Sequence, residues 1–130
     1  MAQQLSLVSL IVQDYDEAIA FYTQQLGFDL IEDTPMGDKR WVVVKPKGSF
    51  GSAILLAKAK NQQQSQAIGL QGADRVWLFL TTDDFWGDYQ RMLAQGVEFL
   101  EAPRQESYAT VVVFQDLYGN KWDLLQRNQT

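Results

Sequence analysis

Asp123 is the residue whose type is out of place in its surroundings. It stands between Trp122 and Leu124 within Ala109 to Gln126, ATVVVFQDLYGNKWDLLQ. Successive side chains of a strand point to opposite faces, so Asp123 faces away from both apolar neighbours. Either that face is solvent or a carboxylate is held in a pocket, and pattern alone leaves both open. The chain has no histidine and no cysteine. That removes Ser-His-Asp and Cys-His nucleophilic machinery, thiolate and imidazole zinc sites, and the commonest general base near neutral pH. Carboxylates, Lys, Tyr and backbone groups are the remaining chemical actors.

The elements that must position Asp123 form a strand, a tight turn and a second strand. Thr110 to Phe114 is β-branched and aromatic, Asp116-Leu117-Tyr118-Gly119-Asn120 supplies turn chemistry, and Trp122 to Leu125 resumes the apolar run. Upstream, Leu5 to Val12 reads as a first strand with Leu7, Ser9 and Ile11 on one face. Asp14 is placed to cap a helix from about Tyr15 to Leu26, whose apolar stripe is Tyr15, Ala18, Ile19, Tyr22 and Leu26, with Gly27 as its stop. Phe28 to Ile31, Arg40 to Val44 and Ser52 to Ala57 read as strands, with turns at Thr34 to Asp38 and Pro46 to Gly48.

Lys58 to Gly72 is polar, Gln-rich and without period, which reads as a flap or a linker. The pattern then begins again. Val76 to Thr81 is a strand and Asp83 an expected cap. A helix carrying Phe85, Tyr89, Met92 and Leu93 follows, stopped at Gly96, and then a strand over Val97 to Leu100. The interval from capping Asp to terminating Gly is equal in the two halves, Asp14 to Gly27 and Asp83 to Gly96. The expected fold class is α+β, an internal βαβββ duplication with repeat 1 over about residues 5–57, a linker over 58–74 and repeat 2 over about 75–126.

At 130 residues the chain has the length of one domain, and 46% hydrophobic with 21% charged residues is the balance of a folded soluble protein. Eleven Lys and Arg against 16 Asp and Glu give a net charge of −5, which disfavours nucleic acid and anionic membrane as partners. No apolar run approaches a membrane span, and MAQQLSL lacks a signal pattern, so the cytoplasm is the expected location.

VSLIVQDYDEAIAFYTQQLGF at Val8 to Phe28 and QDLYGNKWDLLQ at Gln115 to Gln126 carry a resemblance. They resemble the opening strand and helix, and the closing D-P-x-G-N-x-W-[DE]-L signature, of the vicinal oxygen chelate superfamily. Its members are the glyoxalases, extradiol dioxygenases and bleomycin resistance proteins. The resemblance implies that two repeats form curved mixed sheets around a cavity, within one chain or across a homodimer. Leu117 stands in place of the usual Pro and Ala109 where Gly is frequent.

The enzymes of that superfamily hold a divalent cation with four inward side chains. Carried over, those positions fall on Leu7, near Leu55, on Trp77 within one residue, and on Asp123. One carboxylate among Leu, Leu and Trp does not hold such a cation, so no cofactor is expected. A metal centre would need completion by backbone, water or a second subunit. The implied cavity residues are Leu7, Ser9, Ile11, Leu55, Trp77, Phe79, Thr81 and Asp123, and the carboxylate is expected to be protonated, to meet a cation such as Arg40 or Arg75, or to contact a cationic ligand. Arg40, beside Trp41, is also a candidate grip for an anionic substrate, although a surface salt bridge is the commoner fate.

Three functions stay open on these residues. The first is a metal-independent binder of a small organic molecule, of bleomycin-resistance type, expected as a homodimer. The second is a lyase, isomerase or dioxygenase-type enzyme with Asp123 as acid or base. The third is an association domain whose cavity is filled as core, with Asp123 at its mouth in water.

Overall fold

The computed structural model describes residues 1–129, in two compact units that divide between Ile68 and Gly69. In the first unit, strand β1 (Leu7–Val12) leads into helix α1 (Tyr15–Ala20), then β2 (Asp29–Met36), β3 (Lys39–Lys45), β4 (Ala53–Lys58) and the short helix α2 (Gln62–Ala67). Its sheet runs β1-β4-β3-β2, with β1 parallel to β4 and the other pairs antiparallel. The second unit has β5 (Val76–Thr81), α3 (Phe85–Ala94), β6 (Glu98–Phe99), β7 (Arg104–Gln105), β8 (Ala109–Gln115) and β9 (Lys121–Arg127). Its sheet runs β5-β9-β8-β6, again with the first and last strands parallel, and β7 adds to β8. The fold is α+β with two mixed sheets, neither closed, and the shared strand order is the expected duplication.

Each unit buries one sheet face beneath its helix. In the first, Leu10, Val12, Val42, Val44 and Leu56 are fully buried on the side where α1 brings Ala18 and the turn that continues it brings Tyr22. In the second, Val112, Phe114 and Leu124 share the buried face with Phe85 and Met92 of α3. The Phe114 and Trp122 rings stack there at 5.9 Å.

Asp14 caps α1, its carboxylate accepting from the Glu17 amide at 2.9 Å. The helix does not stay α-helical to Leu26. From Phe21 to Gln25 it widens to a π-helical turn, closed by Leu26 N–H donating to the Phe21 carbonyl at 3.0 Å. The Thr23 hydroxyl donates to the Ile19 carbonyl at 2.7 Å, competing with the α-ladder at that point. The extra residue turns Phe21 inward beside Tyr22, edge to face at 5.1 Å, so the buried stripe gains an aromatic that a regular 3.6-residue period omits.

Other boundaries also differ from expectation. Thr34, Pro35 and Met36 belong to β2, and the turn is confined to Gly37 and Asp38. Pro35 is tolerated because β2 is an edge strand. The aperiodic segment after β4 contains α2, nucleated by Asn61, whose side chain accepts from the Gln64 amide at 2.8 Å. Asp84, not Asp83, caps α3, accepting from the Gly87 amide at 3.2 Å. The cap-to-glycine interval is therefore not equal in the two repeats, although Gly27 (φ 82°) and Gly96 (φ 86°) both follow their helices in the left-handed region. Asp83 instead lends its backbone carbonyl to the Gln126 amide, while the Gln126 carbonyl oxygen accepts from Phe85 N–H at 2.9 Å. Leu93 is 49% exposed and drops out of the α3 stripe. The strand after Gly96 is reduced to Glu98 and Phe99.

The β8–β9 turn is held by buried side chains. Asp116 accepts from the Tyr118 and Asn120 amides, both at 2.9 Å, and its second oxygen accepts from the Asn120 side-chain amide at 2.9 Å. The Asn120 carbonyl oxygen in turn accepts from Gln71 N–H at 3.0 Å. Gly69, at φ 79°, lies so close that a Cβ there would stand 2.1 Å from the Tyr118 carbonyl oxygen. Gly69→Ala is expected to destabilise the protein by about 2 kcal/mol or more, and Asp116→Ala, which strands several buried donors, by about 3 kcal/mol. Urea denaturation of both variants, with unchanged m-values, checks this.

Candidate functional site

Register assigns the sheet faces opposite the helices. In the first sheet Ser9 pairs with Leu55, and Leu55 with Val43, so Leu7, Ser9, Ile11, Leu55 and Val43 lie opposite the α1 face. Ser9 is the exposed polar residue of that group; Leu7, Ile11 and Leu55 are half-buried. In the second sheet Asp123 pairs with Phe79 of β5 on one side and Val113 of β8 on the other. Thr81, Leu125 and Val111 form the adjacent row. The structure thus groups Leu7, Ser9 and Leu55 on one face, and Phe79, Thr81 and Asp123 on another.

Two expected site residues depart from this grouping. Trp77 falls where the β5–β9 register shifts between Val76 and Leu78, and its ring meets Trp122 edge to face at 6.0 Å. The irregularity takes it out of the Phe79–Thr81 alternation. Arg40 shares its strand parity with Val42 and Val44, so it sits on the α1 side of the first sheet, opposite to Leu55. There its guanidinium forks onto Asp33 (3.1 and 2.7 Å), bonds Asp16 at 3.0 Å and lies 5.1 Å from the Tyr15 ring centroid. These hydrogen bonds lower the Asp33 carboxyl and raise the Arg40 guanidinium from their ordinary values. Arg40 fastens β2 and β3 to α1 and does not reach the Leu55 face.

Asp123 is half-buried, and its Oδ1 is fully buried without a hydrogen-bond partner among the described residues. Desolvation pushes its carboxyl above the ordinary 3.8; nearby Arg104 pulls it down, and Glu101 pushes it up. The cation facing Asp123 is thus Arg104, not Arg40 or Arg75. Arg104 pairs in register with Val111, which puts it on the Asp123 side of the sheet. Its Nε donates to both Glu101 oxygens at 3.1 Å, and its Nη1 to Glu106. Glu101 also accepts from Val113 N–H at 3.0 Å, filling the ladder gap that Ala102-Pro103 leaves between β6 and β7. The signal that could have found this group was Glu-x-x-Arg-x-Glu (Glu101, Arg104, Glu106), opposite charges spaced around a proline.

A model of the glyoxalase/bleomycin resistance protein/dioxygenase superfamily matches residues 4–124. The chain belongs to that superfamily. An uncharacterized protein of Shewanella frigidimarina (strain NCIMB 400) is 55% identical over 130 residues, covering 98% of this chain and 96% of its own. Among solved structures, UcmS2 is 30% identical with a TM-score of 0.84, covering 96% of this chain and 98% of its own. TnmS3, described as an antibiotic binding protein from Streptomyces sp. CB03234, is 28% identical with a TM-score of 0.77, and the match covers 98% of each chain.

The metal that enzymes of this superfamily carry does not fit this member's residues. The first sheet offers hydrocarbon at Leu7 and Leu55, and the second offers one carboxylate, Asp123, whose acidic neighbour Glu101 is engaged by Arg104 and the Val113 amide. Among the described residues, no group of three His, Cys, Asp or Glu could hold a metal ion. Hard and borderline cations need several oxygen or nitrogen donors.

A carboxyl raised in the folded state binds its proton more tightly folded than unfolded. Its contribution is therefore most favourable below the unfolded value near 3.8 and declines as pH rises through the folded value. Asp123→Asn is expected to raise Tm at neutral pH and to lose that gain below pH 3.8, as followed by thermal melts across pH.

Proposed function

We propose that this superfamily member binds a small organic molecule, recognised by shape and aromatic contact without a metal. What carries the reading is the half-buried Asp123 carboxylate, with one oxygen unpartnered among the described residues, beside the 65% exposed Phe79 on the same sheet face. An exposed aromatic next to a polar group short of a partner is the surface a ligand completes. The antibiotic binding of TnmS3, similar over nearly its whole length, supports the same class of ligand. On the same face Thr81 is proposed as a second polar contact; on the first unit's own face, Leu7 and Leu55 are proposed as apolar contacts and Ser9 as a polar one. A homodimer belongs to the proposal and rests on the family resemblance, and the cytoplasm belongs to it on the sequence pattern alone; no helix of the described residues is long and apolar enough to cross a membrane.

One observation favours a second reading, a lyase- or isomerase-type enzyme. A carboxyl lifted by desolvation on an apolar face is suited to act as acid or base. In that case Asp123→Asn would abolish turnover while leaving binding in place.

A thermal-shift screen against aromatic antibiotics tests the favoured reading. Stabilisation by at least one compound is expected. Phe79→Ala should weaken that compound roughly tenfold, while Arg40→Ala, on the opposite face of the other sheet, should leave its affinity unchanged. A stoichiometric divalent ion in the purified protein, found by elemental mass spectrometry and required for binding, would overturn it.

A further inference from the structure

The geometry points to the row Phe79–Asp123–Val113 as a subsite for an organic ammonium, with the Phe79 ring and the Asp123 carboxylate taking the cation together and Arg104 determining that preference. This rests on the small-molecule reading and names the ligand class for the same face. Phe79 and Asp123 are register partners on adjacent strands, so their side chains rise from one face a strand spacing apart. Phe79 is 65% exposed, and Asp123 Oδ1 is buried with no donor among the described residues. A ring face and a carboxylate at that separation both attract a cation, and a desolvated carboxylate discriminates strongly between a charged donor and a neutral one.

The surrounding charges decide the matter. β5 and β8 contribute no titratable side chain to this face. On β9, Lys121 lies two residues before Asp123, but its ammonium is drawn to the Asp74 carboxylate and carbonyl at 3.1 and 3.3 Å. From the β6–β7 side come Glu101, Arg104 and Glu106, in which one guanidinium serves two carboxylates. Of these charges, Arg104 acts on Asp123 more strongly than Glu101 does. Arg104, fixed by both glutamates, lies near enough to favour the ionised form of Asp123. Arg104 is a positioning residue: it acts through Asp123.

Two probes of the same shape test this, naphthylmethylammonium and naphthylmethanol, titrated into the full chain and followed by amide and carboxyl NMR. The ammonium is expected to bind roughly tenfold more tightly at neutral pH, perturbing Phe79, Val113 and Asp123. Asp123→Asn and Phe79→Leu should each remove most of that preference. Arg104→Gln should move the Asp123 carboxyl titration upward and carry the pH edge of ammonium binding with it, leaving naphthylmethanol unaffected. Arg104→Lys, which keeps the charge, should hold the edge near its original position. Equal binding of the two probes, or a preference that survives Asp123→Asn, would overturn the ammonium subsite and leave small-molecule binding standing. If neither probe nor any antibiotic of the thermal screen binds, both readings fall.

Discussion

The second unit depends on the pairing of Asp116 with Asn120. Both side chains are buried, and between them they engage the Tyr118 and Asn120 amides on the turn and the Gln71 amide outside it. Buried polar groups are stabilising when every partner is present and costly when one is missing, so the turn has little freedom to relax. It sets the β8–β9 register, and that register puts Val113 opposite Asp123. Through Gln71 and the close passage of Gly69 it also fixes the chain just ahead of β5, which brings Phe79 alongside. The residues that read in sequence as a plain turn are the anchor of the candidate site.

Against that rigid support, Asp123 is a local cost accepted by the fold. A carboxylate oxygen without a donor opposes stability, and the same site filled by a hydrocarbon would pack without penalty. The structure tempers the cost from one side only. Arg104 approaches, but Glu101 and Glu106 hold it in place and share its charge. A carboxyl left short of a partner among the described residues is a local rule broken by the fold. On the corresponding face of the first sheet, β1 and β4 offer Leu7, Ser9, Ile11 and Leu55, and the charged positions, Lys45 and Glu32, lie toward the β3–β2 edge.

Much of this architecture was legible because local chemistry and tertiary need coincide. Asp14 caps and Gly27 stops the first helix, and β5 has the bounds its apolar run predicts, since nothing elsewhere competes for those residues. The illegible parts are those decided by partners distant in sequence. Asp83 and Asp84 are equivalent as caps by type, and Gln126, some forty residues on, selects between them by bonding on either side. The aperiodic segment after β4 hid a helix because α2 is too short to show a period and rests on one cap. Pro35 marked a break only if the strand around it were central.

Arg40 and Arg104 make the same point for the site. In sequence both are arginines near strands, and the one beside Trp41 reads as a grip for an anion. Strand parity sends Arg40 to the helix side, where Asp16 and Asp33 saturate its fork. Arg104 sits in a stretch too broken by Pro103 to be read as a strand, yet two residues of β7 suffice to turn it toward Asp123. Which arginine matters is thus settled by register, a property of pairs of strands. An isolated residue pattern carries that information only after the pairing is known, and here the pairing is set by the Asp116–Asn120 turn.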